Sequence, residues 1–184
     1  MSAKPAVQGA GLHATAVVYG ESGVLILGPT GSGKSALALA LLARARGDNA
    51  FGALVGDDRV YVRRAGGRLV ASGAVHMAGI IERRTAGLIA VGYEPAAIVR
   101  LAVELSERGR SWPRLPDAPD TLAIDDVRLP RLALDAGHSA ADQALAVDER
   151  LKVLAGDNSK LARISLEHCA AVHKNDGLET SPPA

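Results

Sequence analysis

Residues 24–42, VLILGPTGSGKSALALALL, constrain this chain more than any other stretch. A β-branched apolar run leads into Gly28-Pro29-Thr30-Gly31-Ser32-Gly33-Lys34-Ser35, which fits G-x-x-x-x-G-K-S/T, and an alanine- and leucine-rich run follows. Glycines let a backbone curl until successive N–H groups converge on phosphate oxygens, and a helix starting there adds the positive end of its dipole. Lys34 supplies a cation for the β and γ oxygens, and Ser35 a hydroxyl for Mg²⁺. The flanks predict the strand–loop–helix order that such a loop needs, with strands over 14–19 and 23–27 and a helix over 35–45. The reading is an α/β domain of P-loop type.

A metal–nucleotide site also needs a carboxylate at the end of a neighbouring strand. Two pairs compete: Asp57 and Asp58 after the short apolar run ALVG, and Asp125 and Asp126 after LAI. The first pair is preferred, because strand, loop, helix and next strand form one crossover that returns the acids to the phosphates. The second reads as a solvated turn. Adjacent carboxylates can divide labour, one at the metal and one accepting a proton from an attacking hydroxyl. Water positioned for hydrolysis by a motor or switch would use the same residues, and the spacing leaves both open.

The rest of the chain predicts a mixed sheet. Hairpin strands over 60–63 and 68–71 surround Ala65-Gly66-Gly67, two short runs flank an arginine-rich turn at 83–84, and a strand spans 98–105. Residues 106–120 hold three prolines and many charges and read as an exposed loop. Two short strands are expected within 121–134, and helices over 139–154 and 159–173. Residues 1–11 read as a flexible leader, 12–173 as one catalytic domain, and 174–184 as a disordered tail.

Composition narrows the setting. The chain has 184 residues, 48% of them hydrophobic, yet only one Trp, three Tyr and one Phe, so Ala, Leu, Val and Gly must build the core. A net charge of +1 gives no field favouring nucleic acid or membrane, and no apolar run reaches a membrane span. One cysteine, Cys169, excludes an internal disulfide and reads as a core thiol; a cytoplasmic setting is expected. His168, Cys169 and His173 do not make a metal set, and Trp112 reads as loop packing.

With these motifs in view, residues 12–91 resemble the catalytic domain of the HPr kinase/phosphorylase family, in a short form without the amino-terminal regulatory domain. The residues that carry the likeness are LHAT, with His13 fifteen residues ahead of Gly28; GPTGSGKS; LVGDD; and IIERRTAGLIAV, which is similar to the family's I-E-x-R-G-x-G. The resemblance implies a mixed-sheet P-loop kinase fold related to phosphoenolpyruvate carboxykinase. It also implies ATP-dependent phosphorylation of a serine of the phosphocarrier protein HPr, reversal by phosphorolysis, and assembly as a homohexamer. Residue by residue, it makes His13 catalytic, gives Lys34 and Ser35 their phosphate and Mg²⁺ roles, and makes Glu82 a metal ligand, Arg84 a phosphate-side cation and Gly87 a turn glycine. Of the acid pair, Asp58 is taken as the proton acceptor and Asp57 as the partner of the metal's water shell.

The chain departs from the family near residue 130. The late motif V-R-P-G-R-N is missing: Pro130-Arg131-Leu132-Ala133-Leu134 runs on into Asp135-Ala136-Gly137-His138. Arg128 and Arg131 are the candidates to replace the late arginine. Two other readings stand beside the protein kinase: a small-molecule kinase with an arginine lid from Arg108, Arg110 and Arg114, and a nucleotide-bound regulator without transfer activity.

Overall fold

The structure, a computed structural model, describes residues 10–84, 86–110, 112 and 121–156. Three strands open it: β1 (Ala10–His13), β2 (Thr15–Tyr19) and β3 (Ser22–Leu27). Helix α1 (Lys34–Gly47) and β4 (Gly52–Gly56) complete the first crossover, and β5 (Arg59–Ala65) and β6 (Arg68–Gly73) form a hairpin. A 3-10 turn at Val75–Met77 precedes β7 (Ile80–Arg83) and β8 (Gly87–Ala90). Strand β9 (Ala96–Leu105), the pair β10 (Thr121–Ile124) and β11 (Val127–Leu134), and helix α2 (Ala140–Leu154) follow. The chain divides into two compact units, Met1–Leu151 and Lys152–Ala184; the described part of the second is residues 152–156.

The main sheet is mixed, in the order β1-β5-β6-β9-β3-β2-β4, with β11 parallel to β9 and β10 beside β11. Strand β3 is parallel to β9, while β2 is antiparallel to both β3 and β4. Strands β3 and β4 therefore point the same way on either side of β2. The loop after β3 and the turn after β4 emerge at one edge, where β2 begins.

Both faces of this region are covered, which explains why β3 reads as an unbroken apolar run rather than an alternating one. Val24 and Ile26 point into a core with Leu37 and Leu41 of α1, Leu101 and Val103 of β9, and Val147 and Leu151 of α2. Leu25, between them, points into a second core with Val60, Val62, Leu69, Val99 and Leu129. Tyr19 is the one aromatic among the buried described residues, so small aliphatic side chains do carry the packing.

Local signals set the element ends. Gly66 and Gly67, at φ 56° and 73°, sit between the paired Ala65 and Arg68, the two left-handed residues a tight hairpin turn needs. Ser139 caps α2: its hydroxyl accepts from the Asp142 amide at 3.1 Å and donates to the Asp142 carboxylate at 2.6 Å. Arg44 and Arg46 occupy the last turn of α1, facing the negative end of its dipole.

The expected strands and the helices over 35–45 and 139–154 are present within a residue or two of their bounds. The leader needs correction: Ala10 and Gly11 belong to β1, where they pair with Val62 and Tyr61 of β5. A strand this short and rich in small residues shows no periodicity; its partner defines it. The helix expected over 159–173, the tail from 174, His168, Cys169, His173, Arg114 and residues 1–9 lie outside the described residues.

Candidate active site

The edge where β3, β4 and β2 meet opens into a cavity of about 850 Å³. Of the residues singled out in the sequence, His13, Thr30, Gly31, Gly33, Lys34, Ser35, Asp57, Asp58, Glu82 and Arg84 line it. Gly28, Pro29 and Ser32 do not; they shape the loop from behind. Ser32 is buried, its amide donates to the Pro29 carbonyl at 3.1 Å, and its hydroxyl has no partner. Asp125 and Asp126 form the exposed β10–β11 turn, where Asp125 accepts from the Arg64 amide at 2.7 Å.

Lys34 is the hub of the loop. The residue is 7% exposed, and its ammonium donates to the Gly28 carbonyl at 2.8 Å and the Pro29 carbonyl at 3.0 Å. The third contact is His13 Nε2, at 3.0 Å. Burial pulls the Lys34 pKa below the usual lysine value, and the charges of Asp58 and Asp57 oppose that pull. An ammonium can only donate, so the network assigns the lone pair to His13 Nε2 and the proton to Nδ1. Nδ1 then donates to Asp58 Oδ1 at 3.0 Å. The Thr30 hydroxyl, 3.3 Å from Nε2, shares that nitrogen.

The two acids sit in different surroundings. Asp57 accepts from the Thr15 hydroxyl at 2.6 Å, the Ser35 hydroxyl at 3.0 and 3.2 Å, and the Glu82 amide at 3.2 Å. The Asp58 side chain is 82% exposed, and among the described residues it meets His13 alone. A left-handed backbone at Asp58, φ 63°, turns the chain between them, so consecutive carboxylates face different ways; a short polar side chain tolerates that conformation better than most.

The residues fit a nucleotide's terminal phosphates. Helix α1 starts at Lys34 with Gly33 as its N-cap, no side-chain cap and no acid in its first turn, which leaves its leading amides and dipole available to an anion. Gly31, at φ 82°, lies so close under Arg84 that an added Cβ would come within 2.7 Å of the guanidinium. The positive φ favours glycine there, and a side chain would push the flexible Arg84 guanidinium aside. The Ser35 hydroxyl beside Asp57, with Glu82 on the cavity wall, is an all-oxygen donor set of the kind a hard divalent cation takes.

Sequence reasoning missed two participants. Thr15 reads as an ordinary buried strand residue until β2 is placed between β3 and β4. Arg108, considered only as part of a lid, lines the cavity. The candidates for the missing late arginine do not reach it: Arg131 donates to Glu104 at 2.6 Å and stacks over Trp112 at 4.7 Å, and neither Arg131 nor Arg128 lines the cavity. Trp112 is packed in this way, as expected of a loop residue.

Comparisons with known proteins agree with this geometry. The model of the HPr serine kinase C-terminal domain matches residues 6–142. Among solved structures, the HPr(Ser) kinase/phosphatase from Coxiella burnetii matches with a TM-score of 0.64 and 26% identity, over 78% of this chain and 98% of that one. No curated protein matches. No helix among the described residues is long and apolar enough to cross a membrane. The cavity's position at the end of β3, the phosphate loop and the matched span agree: this chain belongs to the HPr serine kinase C-terminal domain family.

Proposed function

We propose that this chain is an ATP-dependent serine kinase whose acceptor is the phosphocarrier HPr. Membership of a kinase family implies a nucleotide as phosphoryl donor. The observation that carries the finer reading is the contrast within the acid pair. Asp57 is saturated by donors of its own chain, whereas Asp58 is exposed at the cavity and held by one histidine N–H. A carboxylate with free lone pairs, facing the volume where the acceptor must enter, suits a general base.

In this reading the loop 28–35 and Arg84 hold the phosphates of ATP, and Ser35 and Glu82 hold Mg²⁺, with Asp57 behind Ser35. When bound there, the metal would neutralise charge on the phosphates. Asp58 takes the proton of the acceptor serine hydroxyl as its oxygen forms the new bond to phosphorus and the bond to ADP breaks. His13 keeps Asp58 oriented through Nδ1–H and, by accepting from Lys34 at Nε2, ties the base to the phosphate loop. Lys34 and Arg84 meet the negative charge on the transferring group. In phosphorolysis inorganic phosphate would attack the phosphoserine phosphorus, the bond from phosphorus to the serine oxygen would break as protonated Asp58 gives that oxygen its proton, and pyrophosphate would leave. Location in the cytoplasm and assembly as a homohexamer complete the proposal.

Incubation with labelled ATP, Mg²⁺ and purified HPr tests it. Wild-type protein transfers label to a serine. Asp58→Asn loses about 10²–10⁴-fold in transfer rate, the usual worth of a positioned base, with ATP affinity retained. Saturable ATP binding with no transfer to HPr would favour the regulator instead, and transfer to a metabolite the small-molecule kinase.

A further inference from the structure

We propose that Thr15 is a positioning residue for the metal side of this site. Its buried hydroxyl fixes the Asp57 carboxylate so that Ser35 turns its proton to Asp57 and its oxygen lone pairs to a divalent cation. The proposal rests on the metal–nucleotide reading given above.

The register of the sheet puts Thr15 between the strand that leads into the loop and the strand that leads into the acids. On one side it pairs with Ile26 of β3, which leads into the phosphate loop; on the other, the next residue, Ala16, pairs with Gly56 of β4, which leads into the acids. Thr15 is fully buried, and its hydroxyl reaches Asp57 Oδ1 at 2.6 Å, the shortest contact that carboxylate makes. An O–H to carboxylate bond of this length is charge-assisted and strong. The Ser35 hydroxyl and the Glu82 amide add two more donors from two other elements.

A hydroxyl has one proton and two lone pairs. While Asp57 holds the Ser35 proton, both lone pairs of Ser35 are free for a cation. If Asp57 rotates away, the proton is released to compete with the cation for the same oxygen. Thr15, anchored in the strand between loop and acid, opposes that rotation. Valine has the same shape and suits a buried strand equally well. The hydroxyl is thus the only part of Thr15 that packing does not require, and it points at the carboxylate.

The test uses Thr15→Val and Thr15→Ser in the full chain, with Mg²⁺ and Mn²⁺ as the metals. Calorimetry measures ATP affinity across a Mg²⁺ titration and in EDTA, and electron paramagnetic resonance measures Mn²⁺ binding with ADP present. The expected result is that Thr15→Val raises the Mg²⁺ needed for half-maximal effect by about 10-fold or more, the usual cost of losing an outer-shell partner. Mn²⁺ affinity falls with it, the affinity in EDTA is unchanged, and Thr15→Ser restores both metals. Should Thr15→Val fail to fold, Thr15→Ala removes the same hydroxyl and is read the same way. An unchanged metal dependence, or an equal loss with and without metal, overturns the role of Thr15 alone. Wild-type protein that shows no metal-dependent nucleotide binding overturns the reading of the site, and this proposal with it.

Discussion

His13 links the phosphate loop to the acid pair, accepting from Lys34 and donating to Asp58 with its two ring nitrogens. That arrangement orients Asp58 without burying it, since its side chain stays 82% exposed. Cation supply to the cavity comes from Lys34 and Arg84 beside the loop, and from Arg83 and Arg108 on the wall. Arg108 lies just beyond the end of β9, the strand parallel to β3, and lines the cavity. Arg108→Ala should lower kcat about 10-fold or more while leaving the affinity for ADP within a factor of about 2, as expected of a donor that acts on developing charge. Single-turnover transfer to HPr beside ADP titration checks this; an unchanged rate removes Arg108 from the reaction.

At the scale of elements, a polar pin joins the α1 end of the sheet to α2. Asp148, on α2 and 3% exposed, accepts from Arg44 of α1 at 2.7 Å and from the Tyr19 hydroxyl of β2 at 3.2 Å. Arg44 also meets Asp48 at 3.5 Å. A buried charge gains little from being paired but costs heavily when its partner is removed. Asp148→Ala leaves Arg44 and Tyr19 without that partner and is expected to destabilise the fold by about 3 kcal/mol, read by urea denaturation. Tyr19→Phe removes one hydroxyl and leaves the ion pair, so its cost should be about 1 kcal/mol. A similar loss in both variants would mean that the charge on Asp148 contributes nothing beyond its hydrogen bond to Tyr19.

The same pin sets an alkaline limit for the whole molecule. Burial, and then the negative charge of Asp148, push the Tyr19 hydroxyl up to about 12 from its ordinary 10.0, with Arg44 pulling the other way. The folded state therefore keeps a proton that the unfolded chain releases first. This contribution is complete below pH 10 and is lost as the pH rises to about 12. Denaturant midpoints measured across that window should fall more steeply for the wild type than for Tyr19→Phe; parallel curves would refute the linkage. Much of this architecture was legible in the sequence. The phosphate loop, the Gly66-Gly67 hairpin and the Ser139 cap are local devices, in which spacing of a few residues specifies the geometry. The crossover argument chose Asp57 and Asp58 over Asp125 and Asp126 because a strand–helix–strand unit returns to its own loop. Legibility stopped where the partner is remote in sequence. Strand β1 exists through its ladder with β5, and Thr15 looks like packing until β2 lies between β3 and β4. Likewise, only the placement of the β9 end brings Arg108, rather than Arg128 or Arg131, to the cavity. The sequence by itself determined that a glycine-rich loop of phosphate-binding pattern joins a strand to a helix, since that information is contiguous. Only the tertiary structure decided which carboxylate is saturated and which is open, because hydrogen-bond donors from β2, α1 and β7 must converge before two adjacent aspartates become different.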